Sequence, residues 1–504
     1  MQLTLIPMTQ KKINFGVRHI SSYLKAHGHN ALMMFVVPDT GSPFSFVNEN
    51  IAKQIVELSK DSAAYGISLF SHEFKHACEF TSLLKKFDPS KPVVWGGAHA
   101  ILDPEECIKH CDVVCLEEGE IPMTKMLDMM SKGKDFSHVG GLWIKKENGE
   151  IIKNPISGFV EDLDSFDFPD FLPEGKWCND NNNMRPLDKE WMKTSIQYFA
   201  RYIQDLIGKD INLYTAMTSR GCPHRCTYCS NAYYLDKFKG KGKAWRYRSV
   251  EHVIQELELV KREFPCVNGI TFIDDDLLAR PLEDLKLLAV EYKKRIGLPF
   301  TAYLSPWSFN REKIAVLLDA GLIYLLLGVQ SCSERVNKEV FNRNVSEDKL
   351  VEIINALEEF KKHGLKRYVI DIILDNPYET PKDKHAALMF LRRIPRNVKK
   401  QLYSLVFFPK TELTARPVRD GIISSEDESM KGRTWRHRRK DLYSAYEFLM
   451  EFHHLLPSPL FWIMSSRPVF GILKNRIFGK PFYGARVAKR WLDDKIVKTI
   501  GQIR

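Results

Sequence analysis

What this sequence lacks narrows it first. No stretch of its 504 residues approaches the roughly 18–20 continuous apolar positions needed to span a bilayer. The first residues, MQLTLIPMTQKK, open on a strand-like apolar run and not on a basic region followed by a long apolar one, so no cleaved signal peptide is expected. There is no low-complexity tract and no internal repeat, which excludes a solenoid or a largely disordered chain. The ten cysteines are scattered apart from one tight group. Without a secretory leader they are expected to be reduced thiols and metal ligands of a cytoplasmic protein, not a disulfide framework.

What is present fits two or three globular domains, with 44% hydrophobic and 27% charged residues. The net charge of +11 is local, because about eight of those charges lie beyond residue 425. Residues 1–135 alternate short apolar runs (LTLIPM, ALMMFVV, AAYGISLF, PVVWGGAH, DVVCL) with helix-length segments near 14–27, 49–60, 73–87, 102–110 and 120–132. This alternation predicts a doubly wound parallel sheet, which binds ligands beyond the carboxyl ends of its strands. Residues 136–205 break the pattern with a hairpin at Asn148–Gly149 and a polar run from Asn179 to Asn183, and are expected to be a linker over a surface. Six strand–helix units over 206–410 (INLYTAMTS, NGITFID, FTAYLS, YLLLGVQ, YVIDIIL, LYSLVFF) predict a partial (β/α)6 barrel. Residues 411–504 are helical in pattern, basic and rich in aromatics. The expected fold class is therefore α/β throughout, with a helical C-terminal region.

The sharpest feature is Thr218-Ser-Arg-Gly-Cys222-Pro-His-Arg-Cys226-Thr-Tyr-Cys229-Ser-Asn231, a C-x3-C-x2-C loop directly after a strand. Thiolates so close together suit an iron–sulfur cluster, and three ligands on a four-iron cubane leave one iron open to a small chelate. Zinc would ask for a fourth Cys or His at matched spacing, and His224 alone does not complete a common zinc site. A looser C-x3-C-x3-C pattern at Cys107, Cys111 and Cys115 falls on a helix and a buried strand, where free cysteine is usually a small apolar residue.

On the cysteine loop and the barrel around it, the chain resembles the radical S-adenosylmethionine superfamily. The resemblance implies a [4Fe–4S] cluster on Cys222, Cys226 and Cys229. It further implies S-adenosylmethionine chelated to the open iron and its reductive cleavage to a 5′-deoxyadenosyl radical. It places Tyr228 by adenine, Asp274 and Asp275 near the methionine amine, Gln330 and Ser331 near ribose and carboxylate, and Arg343 on the carboxylate. Gln330 stands where relatives have Glu. Asp375 to Thr380 and Phe408 to Leu413 match later landmarks, where Glu379 and Glu412 read as structural hydrogen-bonders.

The first domain resembles the cobalamin-binding domain fused to one large subclass of that superfamily. The carrying residues are Tyr65 to Ser71, Val93 to His99, Cys111 to Glu120 and Leu163 to Asp170. The resemblance implies cobalamin contacts at Ser68, Ser71, Gly96, Gly97, His99, Glu118 and Gly119. The Asp-x-His-x-x-Gly loop that supplies a histidine to cobalt is absent, and His72 reads as a surface or packing residue. Together these features imply a cobalamin-dependent methyltransferase acting on an unactivated carbon. Alternatives are a cyclase or rearrangement enzyme, a methylthiotransferase, and a non-enzymatic iron–sulfur protein.

The expected partners are a small-molecule or lipid-like substrate and an external one-electron reductant of flavodoxin or ferredoxin type. The basic run Lys431–Lys440 and the aromatics after it (Tyr443, Tyr446, Phe448, Phe452) are expected to form a capping helical region. Peripheral membrane contact is the second reading for that region, and nucleic acid is disfavoured.

Overall fold

The computed structural model describes residues 1–9, 14–37, 46–188, 206, 212–422, 444–473, 481–482 and 484. The N-terminal part runs β1 (Gln2–Pro7), α1 (Phe15–Ala26), β2 (Asn30–Phe35), α2 (Glu49–Leu58), β3 (Ala64–Ser68), α3 (Phe74–Phe87), β4 (Val93–Gly96), α4 (Ala98–Leu102), α5 (Pro104–Cys107), β5 (Val113–Cys115) and α6 (Glu120–Ser131). Asn14 and Asn48 cap α1 and α2 by accepting from Val17 N–H and Ile51 N–H. Of the helix expected over 102–110 only α5 forms, opened by Pro104 because proline cannot continue a helix, and the unexpected α4 precedes it at the end of a run read as strand.

The five strands pair in parallel in the order β5-β4-β3-β1-β2. The chain winds outward from β1 through β2 and then restarts on the other side of β1 with β3. That reversal opens a crevice at the carboxyl ends of β1 and β3.

The expected linker corrects in an instructive way. Residues 142–186 add four strands to the sheet: β6 (Leu142–Lys145), β7 (Ile151–Lys153), β8 (Lys176–Asp180) and β9 (Asn183–Pro186). The β6–β7 hairpin turns at Asn148–Gly149 and lies antiparallel on β5, while β8 lies parallel to β2 and turns back as β9. The polar run from Asn179 to Asn183 is the turn of this second hairpin. Asn181 and Asn182 both take positive φ, 49° and 68°, the geometry a two-residue hairpin turn needs. Residues 189–205 of the expected linker lie outside the described residues.

The second sheet comprises β10 (Leu213–Ala216), β13 (Gly269–Phe272), β14 (Phe300–Leu304), β15 (Leu322–Gln330), β16 (Arg367–Leu374) and β17 (Lys399–Ser404), all parallel and in chain order. A short antiparallel pair, β11 (Ser219–Arg220) and β12 (Arg246–Tyr247), flanks the cysteine loop and sets Arg220 opposite Arg246. The helices are α7 (Ser230–Lys237), α8 (Val250–Glu263), α9 (Leu282–Glu291), α10 (Arg311–Asp319), α11 (Glu347–Phe360), α12 (Pro381–Arg393) and α13 (Glu412–Arg419). One apolar core runs through both sheets, from Leu5 and Cys115 to Tyr214 and Phe272, with Phe171 edge-on to Tyr214 at 4.8 Å. The two carboxyl edges are thus fixed relative to one another.

C-terminal helices α14 (Ser444–Phe452), α15 (Ser458–Met464) and α16 (Arg467–Leu473) pack against α12. Tyr446 and Leu449 are buried there, with the Lys384 ammonium 4.6 Å from the Tyr446 ring centre. The basic run 431–440 and Tyr443 lie outside the described residues. Among the described residues no helix is long and apolar enough to cross a membrane.

Candidate functional site

The crevice of the N-terminal sheet is a cavity of about 300 Å³ between the strand ends and helices α1 and α6. Its walls are mostly apolar: Leu5, Val17, Ile20, Val94 and Met123. Its floor is made of glycine, which lets a ligand approach the backbone. Gly66, Gly96, Gly97 and Gly119 all line it. A Cβ on Gly96 would meet only Cys115 Cβ within 4 Å, so a longer side chain there would stand in the cavity. Gly97 holds φ 92° with its missing Cβ 2.9 Å from Leu69 O, a conformation only glycine tolerates.

Of the residues expected at cobalamin, Ser68, Gly96, Gly97, Glu118 and Gly119 line this slot. Ser71 and His99 do not, and here the expectation is corrected. His99 is fully buried in α4, accepts or donates at Nδ1 to Ser71 Oγ at 3.0 Å, and packs edge-on to Phe74. Burial lowers its pKa to about 4, so it is a neutral core residue. His72 is on the surface, its side chain 70% exposed.

Across the crevice stands the cysteine loop. Cys226 is buried, and Cys222 and Cys229 are partly buried. Backbone N–H groups of His224 and Asn231 donate to the Cys222 and Cys229 sulfurs. Burial pushes the Cys222 thiol up, and that of Cys229 up to about 12, so thiolate at these positions calls for a cation on the sulfur. Among the described residues no group of three or more His, Cys, Asp or Glu converges on a point that suits one metal ion. The thiols of a cubane bind different irons and need no such convergence. The three thiols, the N–H···S bonds and the N-terminus of α7 beginning at Ser230 fit an anionic iron–sulfur cluster.

The acidic run Asp274–Asp276 clamps this loop, which corrects the role expected for Asp274. That carboxylate is buried and accepts from Thr218 N–H at 3.0 Å, Thr218 Oγ1 at 2.8 Å and Ser219 Oγ at 2.5 Å, so its oxygens are committed to the loop's first residues. Asp276 meets His224 Nε2 at 3.0 Å, and Asp275 accepts from Asn231 Nδ2 at 2.8 Å. Only Asp275 is exposed to a ligand.

Arg343 binds the far side of the loop. It donates to Tyr228 Oη at 2.9 Å and Gly328 O at 2.6 Å, and reaches the Cys226 sulfur. Its Nε is buried and without a partner. Tyr228 packs edge-on to Phe341. Gln330 sits at a bulge with φ 65°, strain of the kind that collects at functional sites. Ser331 is buried, and its Oγ accepts from Ser333 N–H at 3.1 Å.

Two arginines that sequence reasoning missed join the halves. Arg220, two residues before Cys222, lines the glycine slot and pairs with Glu120 at 2.7 Å and Glu118 at 3.4 Å. Arg246 grips Glu118 through two bonds, 2.6 and 3.1 Å. Burial works against the Glu118 charge, yet the two guanidiniums hold its pKa below the usual range. The only signal in the sequence was that Arg220 adjoins the cysteine motif. A second cavity of about 180 Å³, lined by Cys222, Tyr234, Arg246 and Glu118, continues the slot to the cysteine loop. Cys107 and Cys111 pack on one face of the N-terminal sheet and Cys115 on the other, all with thiol pKa raised by burial, so they are core residues.

Comparison with known proteins agrees with this geometry. The Radical SAM superfamily is matched over residues 217–391 and the B12 binding domain over residues 4–127. An uncharacterized methyltransferase of Pyrococcus horikoshii is 24% identical over 348 residues, 68% of this chain and 67% of that protein. Cytidylyl-2-hydroxyethylphosphonate methyltransferase of Streptomyces wedmorensis is 21% identical over 379 residues, 69% of this chain and 67% of that protein. In fold, the chain is similar to the radical S-adenosylmethionine methyltransferase TsrM from Kitasatospora setae, solved with cobalamin and a [4Fe–4S] cluster bound. The TM-score is 0.62 at 15% identity, covering 83% of this chain and 78% of that one.

Proposed function

The chain belongs to the radical S-adenosylmethionine superfamily and carries a B12-binding domain, and from that premise we propose that it is a cobalamin-dependent methyltransferase acting on an unactivated carbon of a small molecule. The observation that carries this reading is the meeting of the two edges. A glycine-floored slot and a three-cysteine loop open on one cleft and are tied by Arg220. When bound, the cluster with S-adenosylmethionine supplies a hydrogen-abstracting radical, and cobalamin supplies the methyl group.

The chain's own residues hold and shield these groups. Cys222, Cys226 and Cys229 would ligate the cluster, and Tyr228, Asp275, Gln330 and Arg343 would hold S-adenosylmethionine. Ser68, Gly96, Gly97, Glu118 and Gly119 would receive the corrin. The apolar slot walls exclude water from the reacting centre. Arg343 and the carboxylates of Asp274 and Asp276 keep the cysteine loop in one conformation, so little reorganisation is left for the reaction. The reading includes an external one-electron reductant and a cytoplasmic location. Exposed Leu460, Trp462, Ile463 and Ile472 on the C-terminal helices favour peripheral contact with a lipid surface as a secondary feature, tested by co-sedimentation with anionic vesicles.

Anaerobic reconstitution tests the main reading. Near four irons and one cobalamin per chain are expected, with 5′-deoxyadenosine formed on reduction. Methyl-labelled S-adenosylmethionine should label the product. Product without label would favour cyclisation or rearrangement, and eight irons a methylthiotransferase.

A further inference from the structure

The inner face of the barrel carries polar atoms that the protein does not satisfy. On the outer face of its strands, Ile270, Phe272, Leu325, Ile370 and Ile372 pack into the shared core. The alternate residues point into the lumen. There Thr215 Oγ1, Thr271 Oγ1 and Asp371 Oδ1 are buried without a hydrogen-bond partner, and Ser305 Oγ, just past the end of β14, is a fourth. A barrel packed only for its own stability fills this space with branched apolar side chains. Buried polar groups left unpaired in a native fold ask for water or a ligand.

Their placement is ordered. Strand register carries Thr215 and Thr271 through Thr301 and Tyr324 to Arg367, so the threonines share a layer with Arg367. Asp371 lies four residues further toward the carboxyl end of β16. It is opposite Gly328 in the strand register. The Gly328 carbonyl accepts from Arg343, the guanidinium that also reaches Tyr228 in the cysteine loop. The Gln330 amide folds back to 2.8 Å from where a Gly328 Cβ would stand. Asp371 is therefore paired with the strand residue whose carbonyl Arg343 ties to the cysteine loop, with Tyr303, Tyr324, Arg367 and Tyr403 on the same inner face. Burial, with no cation paired to it, raises its pKa to about 7.

We propose that Asp371 is a recognition residue for a hydroxyl- or amine-bearing group of the molecule that enters the barrel lumen, with the two threonines marking a polar floor below it. A hydrocarbon chain in the lumen would leave all four atoms unpaired, whereas a hydroxyl or amine donates to the carboxyl group. The inference rests on the reading of the site as a radical S-adenosylmethionine centre. The donor belongs either to S-adenosylmethionine, through ribose or amine, or to the second substrate.

S-adenosylmethionine itself is the probe. It is titrated into anaerobic holoenzyme, wild type, D371N and D371V, with binding read from the reduced cluster's EPR signal. Iron and cobalamin content control for folding, and the wild-type complex is crystallised. If the donor is on S-adenosylmethionine, D371V weakens binding tenfold or more, D371N less because its amide oxygen still accepts, and the crystal shows the contact. If it is on the second substrate, affinity changes less than twofold in both variants. Asp371 then faces open lumen beside bound S-adenosylmethionine, with ordered water on its Oδ1. A protein side chain such as Gln401 closing on Asp371 in the complex overturns the proposal. Failure of wild-type holoenzyme to hold a cluster or bind S-adenosylmethionine would instead overturn the reading beneath it.

Discussion

The carboxyl edge of the N-terminal sheet is floored with glycine, while that of the barrel is crowded with polar side chains. Both edges are parallel, both face one cleft, and one core fixes them together. The first presents Gly66, Gly96, Gly97 and Gly119 under apolar walls. The second presents three thiols, an acidic clamp, a buried arginine and unpaired hydroxyls. Topology makes a crevice in each case, but residue choice decides its use. A floor of glycine recognises a broad ligand by shape, and an edge of polar groups recognises a ligand by its atoms. The difference predicts that the two halves fail separately when their own residues change, and fail together only where the arginines join them.

Changing Cys226 to Ala should have the largest effect. Two ligands do not hold the cluster, so 5′-deoxyadenosine formation should be abolished. Cobalamin absorbance should persist, because nothing in the glycine slot touches Cys226. Loss of corrin binding in this variant would break the comparison.

Changing Arg220 to Met attacks the joint. It leaves Glu120 without its arginine and Glu118 with Arg246 alone, and breaking a buried pair costs about 3 kcal/mol. A shift of that size in denaturant midpoint is expected, with weakened cobalamin binding and altered cluster EPR together. Arg220 to Lys should recover part of the stability. An effect on the cluster alone would show that the joint does not reach the slot.

Changing Gly96 to Leu tests shape recognition alone. The added side chain occupies the slot, and overpacking of about 1–3 kcal/mol corresponds to roughly 5- to 150-fold weaker cobalamin binding. Iron content should not change. Unaltered corrin affinity would mean that the ligand does not lie over Gly96.

Much of this arrangement was legible in the sequence, and the exceptions share a cause. Strand–helix alternation, the glycine edges and the cysteine loop are local patterns, and local patterns survive reading one residue at a time. Ser71 and His99 both follow strand ends, yet they bond to each other 28 residues apart and leave the slot. Asp274 looks like a ligand-facing carboxylate until Thr218 and Ser219, more than 50 residues earlier, are seen to fill it. The polar run Asn179–Asn183 reads as part of a linker, because the strand β8 that it follows pairs with β2 some 140 residues away. Asp371 is hidden in the apolar run YVIDIIL, where only strand alternation turns it inward. What the sequence hid was pairing across distance, and that pairing decides which polar groups stay free.

The smallest expected effect concerns Asp371. Its folded pKa is raised from 3.8 to about 7 by burial, so the native state holds a proton that the unfolded chain gives up between pH 4 and 7. Below pH 4 the carboxyl is protonated in both states and the burial has no titration consequence. As pH rises to 7 the native protein loses stability from this group, and above 7 the full penalty remains. At 1.36 kcal/mol per unit the shift sets an upper bound, which water entering the lumen reduces to about 1–2 kcal/mol. D371N cannot ionise, so its melting temperature should match wild type near pH 4 and exceed it increasingly toward pH 8. A difference that stays flat across that range would mean the carboxyl finds a partner within the protein, and the barrel edge would then be less starved of partners than its contrast with the glycine slot requires.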